Sequence, residues 1–233
     1  MENNLLVKLL IKLGLINPNK KIAEQLRQPH GELGQFVGQQ MNVGNRQLYN
    51  FMFEKIDLSN NETALEIGYG NGNFFKEIIE KTKVGKLSGI DFSRDMYKEA
   101  ITTNEDLIKE GKLDLHFGSS DAMPFEDNSF DKVYCLNVVY FWQHPQHHLK
   151  EILRVLKPNG TFYAGIRTRE SMLKMPFIKY GFTIYDPSDF EEVLKQNGFT
   201  NITHTPTIEN SVEYDGSKLD ISSACVQGNK PVV

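Results

Sequence analysis

Residues 64–73 read ALEIGYGNGN, an apolar run that ends in Gly68, Gly70 and Gly72 before a helical pattern begins. Glycines at alternate positions between a strand and a helix let the backbone approach a ligand closely at a helix N-terminus, where unpaired amides gather. Dinucleotide-binding loops space their glycines G-x-G-x-x-G. Here the third glycine comes one residue early, and Asn73 stands in its place. Glu66, on the strand just ahead of the loop, would repel a pyrophosphate but suits a ligand carrying an ammonium or sulfonium charge. Asp91 lies 23 residues beyond Gly68, where an acidic side chain meets ribose hydroxyls in nucleoside-binding sheets. Asp121, in the stretch GSSDAMPFEDNSFD (118–131), can accept a hydrogen bond from an exocyclic adenine amine, with Ala122 supplying backbone. The three acids describe a site for a nucleoside with a cationic tail. Each also has a plainer role open to it. Glu66 could cap neighbouring amides, and Asp91 could belong to a helix start that Ser93 caps as well. Asp131 reads as ordering a turn before a strand.

A second group follows at the end of the apolar segment 133–142. Tyr140, Trp142 and His144 stand where an acceptor would meet the ligand. Histidine is the side chain whose charge changes nearest neutral pH, which makes His144 the candidate general base and Tyr140 its companion. His144-Pro145 could equally just begin a helix. His144, His147 and His148 have no carboxylate or cysteine at ligand spacing, so no metal site is expected. Ahead of the glycine loop, His30 and Arg46, with Asn42, Asn45 and Tyr49, are candidate substrate-side or lid residues. Met172, Met175 and Phe177 offer a lid or substrate wall.

These residues need a scaffold, and the hydrophobic pattern supplies one. Strands are expected at 63–67, 86–90, 113–117, 132–137 and 161–166, alternating with helices at 73–81, 96–110 and 146–156. A further helix at 188–197 precedes a terminal strand pair, 201–207 and 222–227. Repeated strand–helix–strand units give a parallel sheet covered by helices on both faces, with ligands beyond the carboxyl ends of the strands. Short helices are expected at 1–16, 20–27 and in the second half of 31–53. The first is amphipathic, with Lys8 and Lys12 on one face and Leu5, Leu6, Leu9, Leu10 and Leu13 left to bury. The expected division is a helical arm or lid over 1–60, the α/β domain over 61–228 and a frayed tail over 229–233.

Composition narrows the function. The chain has 233 residues, 39% hydrophobic and 24% charged, enough to bury a core without staples. Lys plus Arg (26) against Asp plus Glu (30) leaves a net charge of -4, so nothing favours a nucleic-acid partner. Two distant cysteines form no disulfide framework, and the apolar stretch at the start is interrupted by lysines and too short to span a bilayer. A cytoplasmic monomer or homodimer without a membrane span is the expectation.

The motifs EIGYGNG, GIDFS, DAMPFEDNSFD and LKPNG, in this order and at these separations, resemble a class I S-adenosylmethionine-dependent methyltransferase of the small-molecule type related to the ubiquinone and menaquinone methyltransferases. The resemblance spans about residues 63–160, and GFTIYDPSDF with NGF199 resembles the late helix of such enzymes. It implies an α/β, Rossmann-like doubly wound sheet of seven strands, the last antiparallel, with an N-terminal helical extension. It implies S-adenosylmethionine as cofactor, with Glu66, Gly68, Gly70 and Gly72 at the methionine end, Asp91 at the ribose and Asp121 at the adenine. Tyr69, Asn71, Phe92, Ser93, Met96, Ser120, Ala122, Asn137 and Val138 complete the expected cofactor set, and Tyr140, Trp142, His30 and Arg46 the substrate side. Tyr69 departs from the family, where a small residue is usual, and would crowd or stack on the ligand. The implied reaction moves a methyl group to a small-molecule acceptor by in-line displacement, and the apolar segments favour a hydrophobic or aromatic one. Two rivals stay open: a catalytically silent S-adenosylmethionine- or S-adenosylhomocysteine-binding protein acting through a partner, and a nicotinamide-dependent oxidoreductase. The early third glycine and Glu66 speak against the latter.

Overall fold

The computed structural model describes residues 17–59, 61–82, 84–214 and 217–232, so the expected helix at 1–16 lies outside the described residues. Helices α1 (Pro18–Arg27) and α2 (Gly31–Lys55) lead into β1 (Thr63–Ile67), α3 (Phe75–Thr82), β2 (Lys86–Asp91), α4 (Arg94–Thr103), α5 (Glu105–Lys109), β3 (Leu113–Phe117) and β4 (Phe130–Leu136). A 3-10 turn at Val139–Phe141 precedes α6 (Pro145–Val155), β5 (Leu156–Arg167), α7 (Arg169–Leu173), α8 (Pro187–Gln196), β6 (Thr200–Tyr214) and β7 (Ser217–Asn229). The sheet has the order β3-β2-β1-β4-β5-β7-β6, and β7 runs antiparallel to both its neighbours. The strand order reverses between β1 and β4, and there the register aligns Ile67 with both Ile90 and Cys135. The C-terminal ends of β1, β2 and β4 therefore share one edge, the place where such sheets bind ligands.

The period-two alternation of each central strand divides the core. Leu65, Val133, Cys135 and Phe162 face α6 and α8 in one buried cluster, and Ala64, Leu87, Tyr134 and Tyr163 face α2 and α3 in the other. Several elements differ from the sequence expectation. Helix α2 takes in the glycine-rich first half of 31–53. A Cβ on Gly34 would come within 2.7 Å of the Pro29 carbonyl carbon, and one on Gly38 within 3.2 Å of Met96 Sδ, so close packing outweighs low helix propensity. The single helix expected at 96–110 breaks at Asn104, because its buried amide donates to Gly72 O (3.1 Å) and Ala100 O (2.9 Å). Strands β6 and β7 continue well past 201–207 and 222–227. At the end of β7, Lys230 Nζ donates to Leu156 O at 2.7 Å, which ties down residues expected to fray.

Helix α2 crosses the C-terminal edge of the sheet and is fastened along its length. Gly31 N donates to Asp95 Oδ2 (2.8 Å), Asn137 Nδ2 donates to Asn45 Oδ1 (3.0 Å), and Gln47 exchanges two bonds with the backbone of Asn210, both 2.8 Å. At the far end Arg167 of β5 grips the buried Glu209 through Nε (3.0 Å) and Nη2 (2.8 Å), while Nη2 also reaches Gly44 O (2.8 Å). Removing one partner of such a pair strands the other charge in the interior. Arg167→Met should lower stability by about 3–5 kcal/mol in urea denaturation; a loss below about 1 kcal/mol would contradict the structural role given to the pair.

Candidate functional site

The edge between α1–α2 and the strand ends encloses a cavity of about 300 Å³, within the usual size of small-molecule sites. It is lined by Gly68, Tyr69, Gly70 and Asn71 of the loop after β1, by Asp91 and Phe92 after β2, and by Gly118 to Asp121 after β3. Asn137, Val138, Phe141, Trp142, His144, His147 and His148 close one side, and Pro29, Gly38, Met41, Asn42, Asn45 and Tyr49 form the roof.

The glycine loop has its shape for steric reasons. Gly68, Gly70 and Gly72 all have positive φ (74°, 61° and 71°), where only glycine is comfortable. A Cβ on Gly68 would lie 2.4 Å from Val138 Cγ2, so the loop packs tightly on the turn after β4. At Gly70 nothing lies within 4 Å, and this glycine opens on the cavity. The loop is held from β2: Asp91 accepts from Gly70 N through Oδ2 (2.9 Å) and from Ser93 N through Oδ1 (2.8 Å). Burial pushes the Asp91 carboxyl up to about 6, against the pull of those two amides. Asp121 remains more exposed, and its bond with Ser119 holds its carboxyl below the usual range.

Several expected residues stand elsewhere. Glu66 is 1% exposed and does not line the cavity. The Tyr49 hydroxyl donates to its Oε1, and the Tyr134 hydroxyl donates to its Oε2 at 3.1 Å. Burial raises its carboxyl to about 7, opposed by those two hydroxyls. Both Glu66 oxygens are thus occupied by protein hydroxyls, away from the lining. Tyr69 lies over Gly89, where a Cβ would meet its Cδ1 at 2.6 Å, and its hydroxyl donates to His116 O at 3.2 Å. Its ring is laid against the sheet at the margin of the cavity. Tyr140 also stands off the lining: it is 1% exposed, its hydroxyl is shared with the backbone of Arg167, and burial pushes its pKa up.

Gly72, Ser93 and Met96 are buried behind the lining, and Ala122 is exposed outside it. Ser93 caps α4 by accepting from Met96 N (3.2 Å) and donates to Pro29 O (2.5 Å); Met96 is buried under Gly38. His30 bonds to Gln25 at the start of α2, and Arg46 pairs with Glu77 with its guanidinium 4.3 Å from the Phe74 ring centroid. Neither reaches the cavity. Met172 and Met175 are core residues rather than a lid.

Trp142 and His144 do line the cavity, and so does His148 of α6. The His148 ring stacks flat on Trp142 (4.8 Å, 7° between planes), and its Nδ1 bonds with Ser120 Oγ at 2.8 Å. Burial lowers its pKa, so the ring is a neutral plate behind the indole. No run or spacing could have announced a stack between residues on either side of a helix start. Among the described residues no cluster of histidine, cysteine and carboxylate fits a metal ion, and no helix is long and apolar enough to cross a membrane.

A family model described as a methyltransferase domain matches residues 65–164. The chain is 35% identical over 128 residues to the methyltransferase-family protein YrhH of Bacillus subtilis (strain 168), covering 55% of this chain and 70% of that one. It is 34% identical over 129 residues to a demethylmenaquinone methyltransferase of Lactococcus lactis, covering 53% of this chain and 48% of that one. Among solved structures it superposes with a TM-score of 0.72, at 18% identity, on a chain from the complex between the Haloferax volcanii Trm112 methyltransferase activator and a methyltransferase, covering 93% of this chain and 99% of that chain.

The two buried acids make a prediction for the ligand-free protein. A carboxyl whose folded pKa is raised contributes stability that is present below its unfolded pKa and lost as pH rises through the folded one. For Glu66 that window runs from 4.5 to about 7. The stability of Glu66→Gln relative to wild type should therefore increase by about 1–3 kcal/mol between pH 5 and pH 8 in chemical denaturation. A difference that stays flat across that range would show that Glu66 is not a buried, late-ionising acid.

Proposed function

The chain belongs to the class I S-adenosylmethionine-dependent methyltransferases, and from that premise we propose that the cavity under α2 holds the cofactor and a small-molecule acceptor side by side. The observation that carries the reading is the convergence of Gly70, Asp91 and Asp121 on one enclosed space. The charge of that space fits: among the described lining residues stand two carboxylates and a single guanidinium, Arg27, which suits a cationic ligand better than a pyrophosphate. Asn71 adds an acceptor, since its Nδ2 donates to Glu99 Oε1 (3.1 Å) and its Oδ1 has no partner.

Bound S-adenosylmethionine supplies a methyl group already activated on a sulfonium centre. The protein's part is then alignment and exclusion of water, effects that together can reach ~7–11 kcal/mol. Asp91, fixed by two backbone amides, is placed to accept from ribose hydroxyls through its remaining lone pairs. Asp121, kept ionised, and Ser120 would meet the adenine side, with Ala122 contributing position rather than contact. Gly68, Gly70 and Asn71 would take the amino-acid end, and Phe92, Asn137 and Val138 pack around it.

Helices α1 and α2 serve as the lid over this cofactor, the role expected of residues 1–60. The acceptor side is built by Met41, Phe141 and Trp142, an apolar and aromatic wall that favours a hydrophobic or aromatic acceptor. His144, at the N-cap of α6 with no capping bond of its own, is free to take a proton from an acceptor that arrives protonated. Its imidazole opens on the same cavity, unlike the phenol of Tyr140.

Calorimetric titration of the full chain tests the assignment. S-adenosylmethionine and S-adenosylhomocysteine should both bind in the micromolar range, and NAD should not. Asp91→Ala should weaken both by at least about tenfold, the loss of a hydrogen bond to a charged group. Wild-type affinity in Asp91→Ala would place the nucleoside elsewhere.

A further inference from the structure

The acid of the glycine-loop strand is spent inside the protein. Both oxygens of Glu66 accept phenolic hydroxyls, one from Tyr49 of α2 and one from Tyr134 of β4, and the charge of Asp91 also bears on it. With 1% exposure, Glu66 offers nothing to the cavity, whereas Tyr49 lines it. Tyr49 also reaches the loop itself. Its ring stacks on Phe74 at 3.8 Å and 21°, two residues past Gly72, while the Arg46 guanidinium sits 4.3 Å from the same centroid. Two groups so close to one ring centre must cover opposite faces. Phe74 is thus clamped between side chains one helical turn apart on α2, and the clamp is indexed to β1 by the bond to Glu66.

We propose that Glu66 is a positioning residue that works through Tyr49: its carboxylate fixes the phenol, and the fixed ring sets α2 against the glycine loop as the wall of the cofactor cavity. This rests on the cavity being the cofactor site. The carboxylate supplies the acceptor that a buried phenol requires, since a hydroxyl left unpaired in the interior is strongly disfavoured. Without it Tyr49 would turn toward water, and the ring contact that joins lid to loop would loosen. The cofactor would then meet a cavity of the wrong shape, although no atom touching it had been removed.

A double-mutant cycle on the full chain separates this from a direct contact. S-adenosylhomocysteine binding is measured by calorimetry for wild type, Glu66→Gln, Tyr49→Phe and the double variant, with thermal unfolding by circular dichroism to establish the folded fraction. Tyr49→Phe should weaken binding by roughly tenfold and Glu66→Gln by no more than that, and the double change should cost no more than Tyr49→Phe alone, because Gln turns a charge-assisted bond into a neutral one and Phe removes the same bond. A second tenfold loss in the double variant would mean that Glu66 touches the ligand itself, and would overturn the proposal. So would wild-type affinity in folded Tyr49→Phe, a result that a purely structural Glu66 would give alongside a lowered melting temperature. Tyr49→Phe keeps the ring and its volume, so its result decides even if Glu66→Gln does not fold. Wild-type protein that fails to bind would remove the cavity assignment first, a distinguishable outcome.

Discussion

Two buried carboxyl groups, Glu66 near the end of β1 and Asp91 at the end of β2, govern the architecture of this protein. An ionised group in the interior is tolerated only when donors surround it, and each acid recruits a different part of the chain. Asp91 takes the backbone amides of Gly70 and Ser93, which bends the glycine loop toward β2 and starts α4. Glu66 takes the hydroxyls of Tyr49 and Tyr134, which draws α2 down onto the sheet. The cavity is what lies between these two sets of bonds. Burial raises both carboxyls, to about 6 and about 7, so ionising them near neutral pH costs the fold stability.

The rest of the molecule can be understood as support for that edge. The sheet aligns Ile67, Ile90 and Cys135 so that the loops after β1, β2 and β4 leave at one level. Missing side chains make room where loops must touch: Gly68 against Val138, Gly89 under Tyr69, Gly38 over Met96. Helix α2 is bonded at Asp95, Asn137, Glu66 and Asn210, elements that are far apart in sequence, and Arg167 adds a fifth fastening through Gly44. A lid tied at so many points excludes water well, and its opening for exchange of ligand has to release several bonds together.

Much of this could be read from the residues alone. The alternation of apolar runs gave the strand order its raw material, and the spacing of Gly68, Gly70, Gly72 and Asp91 marked residues that the fold brings together at one edge, because both depend on local pattern. What escaped depends on tertiary partners. Nothing in the neighbourhood of Glu66 says that a tyrosine 17 residues earlier, on a helix, will occupy its oxygen. Tyr140 shares a strand end with Trp142, yet one points inward to the backbone of Arg167 and the other onto the cavity, a choice made by the 3-10 turn between them. Arg46 is one turn from Tyr49 but is drawn away from the cavity by Phe74 and Glu77. Nothing local to His148 announces that Trp142 and Ser120 meet it across the turn.

The most direct measurement is a crystal structure of the full chain with S-adenosylhomocysteine. The adenosine should lie between Asp91 and Asp121, the amino-acid end over Gly68, Gly70 and Asn71, and the Tyr49 hydroxyl should remain on Glu66 beneath a closed α2. A ligand outside the cavity, or a Glu66 carboxylate turned from Tyr49 to grip the ligand's ammonium, would contradict the central claim that the protein's own phenols, and not the cofactor, satisfy this acid.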